Sequence, residues 1–183
     1  CRNMIVLYKQ QPKRDSLPFN GEEYDYALWI DSDMGFSFSD IEKLAERDVD
    51  IVGGSYVLNP SMLTGGYIRD NGKNALSTKM IYYDNLMAVD YIGFGFVLMK
   101  YGVLETIGYP WFEHKMIEYK DIDGYATSSE DIAFCLKAQE YGYTINLDLN
   151  VPLKHQKTTV LPLDQWKEQI QQQKEQQKKG EEV

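Results

Sequence analysis

The chain has 183 residues, enough for one domain with a full core and too few for two ordinary ones. A 43% hydrophobic and 13% aromatic content, with 14 Tyr, sets it apart from disordered chains. A formal charge of −9 argues against duplex nucleic acid as a partner, because phosphate recognition needs a Lys/Arg surface, although bound divalent cations can still recruit a phosphorylated ligand.

Cys1 at the terminus and Cys135 in an apolar helical pattern offer no disulfide framework. No apolar run approaches the length of a membrane span; the longest, near residues 91–99, contains two glycines. The expectation is a cytoplasmic protein with no membrane span. The chain opens on Cys rather than Met, and its natural start is expected to lie upstream.

Residues 4–8 are apolar and read as a helix end or a strand, and residues 11–21, with Pro12, Pro18 and Asn20-Gly21, as a loop. Next comes Ala27-Leu28-Trp29-Ile30, a short apolar run without polar alternation, followed by Asp31-Ser32-Asp33. It reads as a strand buried on both faces in the middle of a parallel sheet. Carboxylates at i and i+2 of an extended chain point to one side, here at the strand's carboxyl end, where open α/β sheets bind ligands. Their mutual repulsion is relieved by a hard divalent cation, so the pair reads as a metal-diphosphate site. The plainer reading makes Asp33 a turn cap and Asp31 a solvated strand end.

Ser39-Asp40-Ile41-Glu42 has capping-box spacing before an amphipathic helix carrying Ile41, Leu44 and Ala45. Residues 49–52 read as a strand closed by Gly53-Gly54. Residues 58–87 are poorly patterned, and Asn71-Gly72 there is a hairpin signal. Residues 89–99 read as one strand with Gly93 and Gly95 inside it, marking a bulge or close backbone approach. Residues 100–107 read as a helix ended by Gly108. Pro110-Trp111-Phe112 opens a loop running to Thr127, in which Trp111 either stacks on a sugar or simply packs, and His114 receives no role.

Ser128-Ser129-Glu130-Asp131 then opens the clearest helix, with Ile132, Cys135, Leu136 and Gln139 on one face and Gly142 at its end. Capping spacing from Ser128 to Asp131 and the helix dipole explain these acids structurally. A carboxylate at a helix start beside a pocket also suits proton abstraction from a hydroxyl. Ile145, Leu147 and Leu149 alternate with polar residues in a half-buried strand, and His155 follows it. Residues 161–183 form a polar C-terminal helix or tail beyond a domain of residues 1–160. Alternating strands and helices predict an α/β fold with a mixed, mainly parallel central sheet flanked by helices.

Taken in order, Leu28-Trp29-Ile30-Asp31-Ser32-Asp33, Asp50-Ile51-Val52-Gly53-Gly54-Ser55-Tyr56, Val89-Asp90-Tyr91-Ile92-Gly93-Phe94-Gly95-Phe96, Ser129-Glu130-Asp131-Ile132-Ala133-Phe134-Cys135 and His155 resemble the family-two-like nucleotide-sugar glycosyltransferases of the GT-A fold, which is Rossmann-related. The resemblance spans most of residues 2–157. It implies that Asp31 and Asp33 hold Mn²⁺ or Mg²⁺ against the diphosphate of a nucleoside-diphosphate sugar, with His155 as a further ligand. It implies that Asp131 deprotonates the hydroxyl of a carbohydrate or other acceptor in an inverting transfer, supported by Glu130. Gly93 and Gly95 would lie beside the donor sugar. Arg2-Asn3 resembles a segment that precedes the acidic strand in such enzymes, and the resemblance implies a strand-helix-strand unit upstream of it, so the domain is expected to be N-terminally incomplete. Two rivals are a degenerate transferase domain that binds sugar or acts as a scaffold, and a haloacid-dehalogenase-like phosphatase. The latter wants Thr or Val where Gly35 stands.

Overall fold

The computed structural model describes residues 2–8, 10–59, 62–68, 86–119 and 124–157. The hairpin expected at Asn71-Gly72 and the polar tail lie outside them. Helix α1 (Arg2–Leu7) resolves the first ambiguity in favour of helix. It leads through a 3₁₀ turn (Pro18–Gly21) into β1 (Tyr26–Ile30), then β2 (Met34–Gly35) and α2 (Phe38–Glu46). Next come β3 (Ile51–Ser55), β4 (Val57–Asn59), β5 (Met62–Leu63), β6 (Gly65–Gly66), β7 (Leu86–Val89), β8 (Tyr91–Ile92) and β9 (Phe96–Lys100). Helix α3 (Val103–Ile107), the hairpin β10 (Met116–Tyr119) and β11 (Gly124–Thr127), α4 (Glu130–Glu140), β12 (Ile145–Pro152) and β13 (Lys154–His155) complete the described order.

The central sheet has the order β1-β9-β3-β12-β7. Strand β3 runs parallel to β12, while β1–β9, β9–β3 and β12–β7 are antiparallel. Among the described residues the sheet is therefore mixed, and the mainly parallel expectation does not hold there. Between β3 and β9 the described residues hold only short strands and no crossover helix of the kind that joins parallel neighbours, and β9 runs against both β1 and β3. A turn at Gly93-Phe94-Gly95 separates β9 from β8, which pairs with β6 outside this sheet. This turn also breaks the single strand expected over 89–99.

Among the described residues strand β1 is an edge of this sheet, not its middle. Its Ala27 and Trp29 are buried, whereas Tyr26 and Ile30 stay 39% exposed. Asp31 N–H donates to Gly95 O at 2.9 Å and Tyr101 N–H to Asp25 O at 2.9 Å. These narrow pairs turn the odd-numbered main-chain groups toward β9 and leave those of Tyr26, Leu28 and Ile30 on the outer edge.

Side chains alternate between two cores, as the period of two demands. Val97 and Met99 of β9, Ile51 of β3 and Ile145 and Leu147 of β12 join α1, α3 and α4 on one face. Phe96, Leu98, Val52 and Val151 meet Leu44 of α2 on the other. Covering both faces is what makes the run legible as α/β.

Several local expectations shift by a residue or two. Helix α2 is capped by Ser37, whose N–H and hydroxyl both donate to Asp40 Oδ2, at 2.8 and 2.7 Å; the expected box at Ser39 and Glu42 is not used. Gly53 and Gly54 lie inside β3 rather than closing it, because Ile92 and Leu153 pack where their side chains would stand. The first four residues of β12 are buried on both faces, not half-buried, since α2 covers Asn146 and Asp148. Asn146 Nδ2 donates to Ile51 O at 3.0 Å. The end of α4 matches expectation. Gly142, at φ 88°, donates to Gln139 O, and Tyr143 N–H to Ala138 O, the paired bonds of a Schellman ending.

Candidate active site

The carboxyl end of β1 turns sharply. Met34 N–H donates to Asp31 O at 3.1 Å, and β2 then pairs antiparallel with β13. That pairing puts His155 opposite Met34, and Gln156 N–H donates to Asp33 O at 2.9 Å. His155 Nε2 consequently lies 3.2 Å from Asp33 Oδ2, while its Nδ1 lies 3.0 Å from Val57 O. The proximity of Asp33 and His155, 122 residues apart, is a product of this small ribbon.

Asp31 belongs to a second cluster. Arg2 Nη2 reaches its Oδ1 at 3.4 Å, and Arg2 Nη1 contacts Glu130 Oε1 and lies 3.0 Å from Asp131 Oδ1. One guanidinium faces three carboxylates. Arg2 is held from below by the Phe94 ring, 5.6 Å away, a cation–π placement. Asn3 steadies the helix by accepting from Phe112 N–H at 2.9 Å and donating to Phe112 O at 2.5 Å.

Helix α4 starts one residue later than the sequence spacing predicts. Ser129 is its cap, accepting from Ile132 N–H at 3.4 Å, so Asp131 is free of capping duty. Asp131 Oδ2 instead accepts from Phe94 N–H at 3.2 Å. Its buried Oδ1 faces Arg2 outside hydrogen-bond geometry. Burial pushes the Asp131 carboxyl above its usual range, opposed by Arg2 and the Phe94 N–H and reinforced by Glu130 and Asp31.

The structure thus gathers Asp31, Glu130 and Asp131 around Arg2, and Asp33 with His155 beside them. It does not assemble Asp31, Asp33 and His155 as three converging ligands: among the described residues no three His, Cys, Asp or Glu side chains form a metal-holding group. Asp31 turns to Arg2 while Asp33 turns to His155. The Asp33–His155 pair still suits a cation of the Mn²⁺ or Mg²⁺ kind by donor chemistry, since such ions rest on one or two protein ligands and complete their shell from phosphate and water. Two donors at about 2.1 Å from one ion stand about 3 Å apart, close to the 3.2 Å separation here.

Trp111 does not stand ready to stack on a sugar. It is 1% exposed, and its indole N–H donates to Leu104 O at 2.7 Å, so the packing alternative is the one realised. Gly93 and Gly95 flank the acid cluster, but the group they admit is the protein's own Tyr56. A Cβ at Gly95 would meet Tyr56 Oη at 2.5 Å, and one at Gly93 would meet it at 2.8 Å. His114, given no role from sequence, has its Nδ1 2.8 Å from Ser128 O.

Sequence reasoning missed two residues. Arg2 was visible only as part of a resembling segment. Tyr56 went unassigned although Gly-x-Gly at 93 and 95 signalled that something bulky must fill that space. Tyr56 Oη accepts from Gly95 N–H at 3.1 Å, and its ring meets His155 edge-on at 5.0 Å, linking the two clusters. Burial pushes its hydroxyl pKa upward, so it stays a neutral phenol.

No family model matches the chain, and no curated protein does. Among solved structures, the crystal structure of A197 from STIV is similar at a TM-score of 0.43 and 18% identity, over 76% of this chain and 70% of that one. The reading of the site rests on its own residues.

Proposed function

We propose that the acid-lined end of β1 transfers a sugar from a nucleoside-diphosphate sugar to an acceptor hydroxyl, with inversion, in a GT-A-like domain. The observation that supports this most is the convergence of four acids from two distant segments, Asp31 and Asp33 with Glu130 and Asp131, at the carboxyl end of a strand. Asp131 is the general base. Its carboxylate sits at a helix start with one oxygen free of hydrogen bonds, and burial raises its proton affinity toward that of a working base. Arg2 keeps it oriented and offsets the charge of Glu130 and Asp31, and Glu130 shares the guanidinium so that neither acid is locked by it alone. Asp33 and His155 would hold a divalent cation, which when bound neutralises charge on the departing diphosphate. Tyr56 fixes the Gly93–Gly95 turn against the site.

Calorimetric titration of UDP and GDP, with and without Mn²⁺, on this chain and on Asp33→Ala tests the reading. The expected result is saturable nucleotide binding that needs Mn²⁺ and vanishes in the variant. Binding indifferent to both the ion and the substitution overturns it.

A further inference from the structure

Beyond the acid cluster, a cleft of about 680 Å³ opens where the loop before β1 meets the end of α3 and the far part of α4. Its volume is in the range of small-molecule sites. None of its ten lining residues is acidic, and three of them, Lys13, Arg14 and Lys137, are cations. In a chain with 28 acids against 19 Lys and Arg, such a segregation is not what composition distributes by itself. Lys137 lies six residues past Asp131 on α4, about 9 Å along the axis, so this cleft is separate from the acid site.

The cations are placed rather than scattered. Lys13 and Arg14 occupy a tight turn closed by Ser16, which accepts from Lys13 N–H at 3.0 Å and whose N–H donates to Lys13 O at 3.1 Å. Lys137 Nζ donates to Pro110 O at 2.8 Å and Gly108 O at 3.3 Å, which steers the ammonium to the cleft wall. Among the described residues none of the three is in an ion pair. Burial lowers the proton affinity of Lys137, offset in part by Glu113 and Glu140. Both acids line a neighbouring hollow that Lys137 also borders, and Glu140 there is paired to Lys115 at 2.6 Å. Asp15 lines another hollow beside Lys13. Partly buried lysine without a carboxylate partner is uncommon, and an anion in the cleft would supply the missing partner.

We propose that this cleft binds a phosphoryl group, with Arg14 as a two-pronged donor, Lys13 and Lys137 as point charges, and the rings of Tyr109 and Tyr141 flanking the rest of the ligand. It stands independently of the transferase reading.

The probe is inorganic pyrophosphate, titrated calorimetrically at fixed ionic strength in EDTA, which silences any cation-dependent binding at Asp33 and His155. A parallel flotation assay uses phosphatidylcholine vesicles with and without phosphatidic acid. Lys13 and Arg14 are exposed, so Lys13→Gln and Arg14→Gln leave the core untouched. Each is expected to weaken binding about ten-fold, whereas Lys43→Gln, on α2, leaves it unchanged. Flotation that requires phosphatidic acid and is lost in Arg14→Gln assigns the phosphate to a headgroup. Pyrophosphate binding without flotation assigns it to a soluble ligand. Absence of saturable binding to both probes, or an equal loss in Lys43→Gln, overturns the proposal.

Discussion

Two arginines of this chain meet carboxylates more than 100 residues away, and they do so in opposite ways. At the end of α2, Arg47 Nε reaches Asp148 Oδ2 at 2.6 Å and Nη2 reaches Oδ1 at 3.2 Å, while Asn150 N–H also donates to Oδ1 at 2.9 Å. Asp148 is fully buried, and every oxygen is answered. At the end of β1, Arg2 faces Asp31, Glu130 and Asp131, and one buried oxygen of Asp131 has no hydrogen bond. A balanced pair pins α2 to β12. An unbalanced cluster leaves negative charge and open acceptor capacity, which costs stability and is what a reacting hydroxyl or bound cation can use.

The sharpest way to break this contrast is Asp131→Asn. Transfer activity is expected to fall about 10³-fold, as for loss of a general base, equivalent to about 4 kcal/mol. Stability should move the other way. Because burial raises the Asp131 pKa in the folded state, its ionised form costs stability, and that cost is absent below the unfolded carboxylate pKa and grows as pH rises through the folded value. Chemical denaturation should therefore find Asp131→Asn more stable than wild type at neutral pH and no better in acid. A variant that loses both activity and stability would place Asp131 with Asp148 as an architectural acid.

Arg47→Ala is the counterpart. It strands the buried Asp148 and should cost about 3 kcal/mol by denaturant titration. Asp148→Ala should cost less, because Arg47 is 30% exposed and can turn to water. Equal losses would show that the pair's geometry, rather than the stranded charge, carries the energy.

Gly95→Ala comes next. Its Cβ would stand 2.8 Å from Tyr56 Cζ and 2.5 Å from Oη, a clash worth about 1–3 kcal/mol. Combining it with Tyr56→Ala should give a clearly sub-additive loss in a double-mutant cycle; additivity would detach Tyr56 from the turn.

The smallest effect is expected at Asp40→Ala, about 1 kcal/mol for a lost cap. The Ser37 hydroxyl and N–H hold the Asp40 carboxyl below its usual range, so this contribution is present above the unfolded carboxylate pKa and is lost as pH falls through the folded one. Wild type and variant should converge in strong acid.

Much of this was legible from local pattern. The run Ala27–Ile30 announced a strand, Ser129 to Gly142 announced α4, and both pairs of acids drew notice by standing at element ends. Local signals mislead by a residue or two where several cap candidates compete, as Ser37 and Ser39 do before α2, or Ser128 and Ser129 before α4. Nothing local revealed Arg2, since an arginine in a first turn reads as a solvated charge until its three partners arrive from elsewhere.

By itself, then, the sequence determined that residues 26–30 form a strand, that residues 130–140 form a helix and where the acids stand at their ends, because such signals depend on neighbours three or four positions away. Tertiary structure alone decided their company. It set β9 antiparallel between β1 and β3, drew His155 to Asp33 through the β2–β13 ribbon, buried Trp111, and left the Asp131 carboxylate with more charge around it than Arg2 can offset. Those outcomes are long-range because burial and Coulomb interaction act through space rather than along the chain.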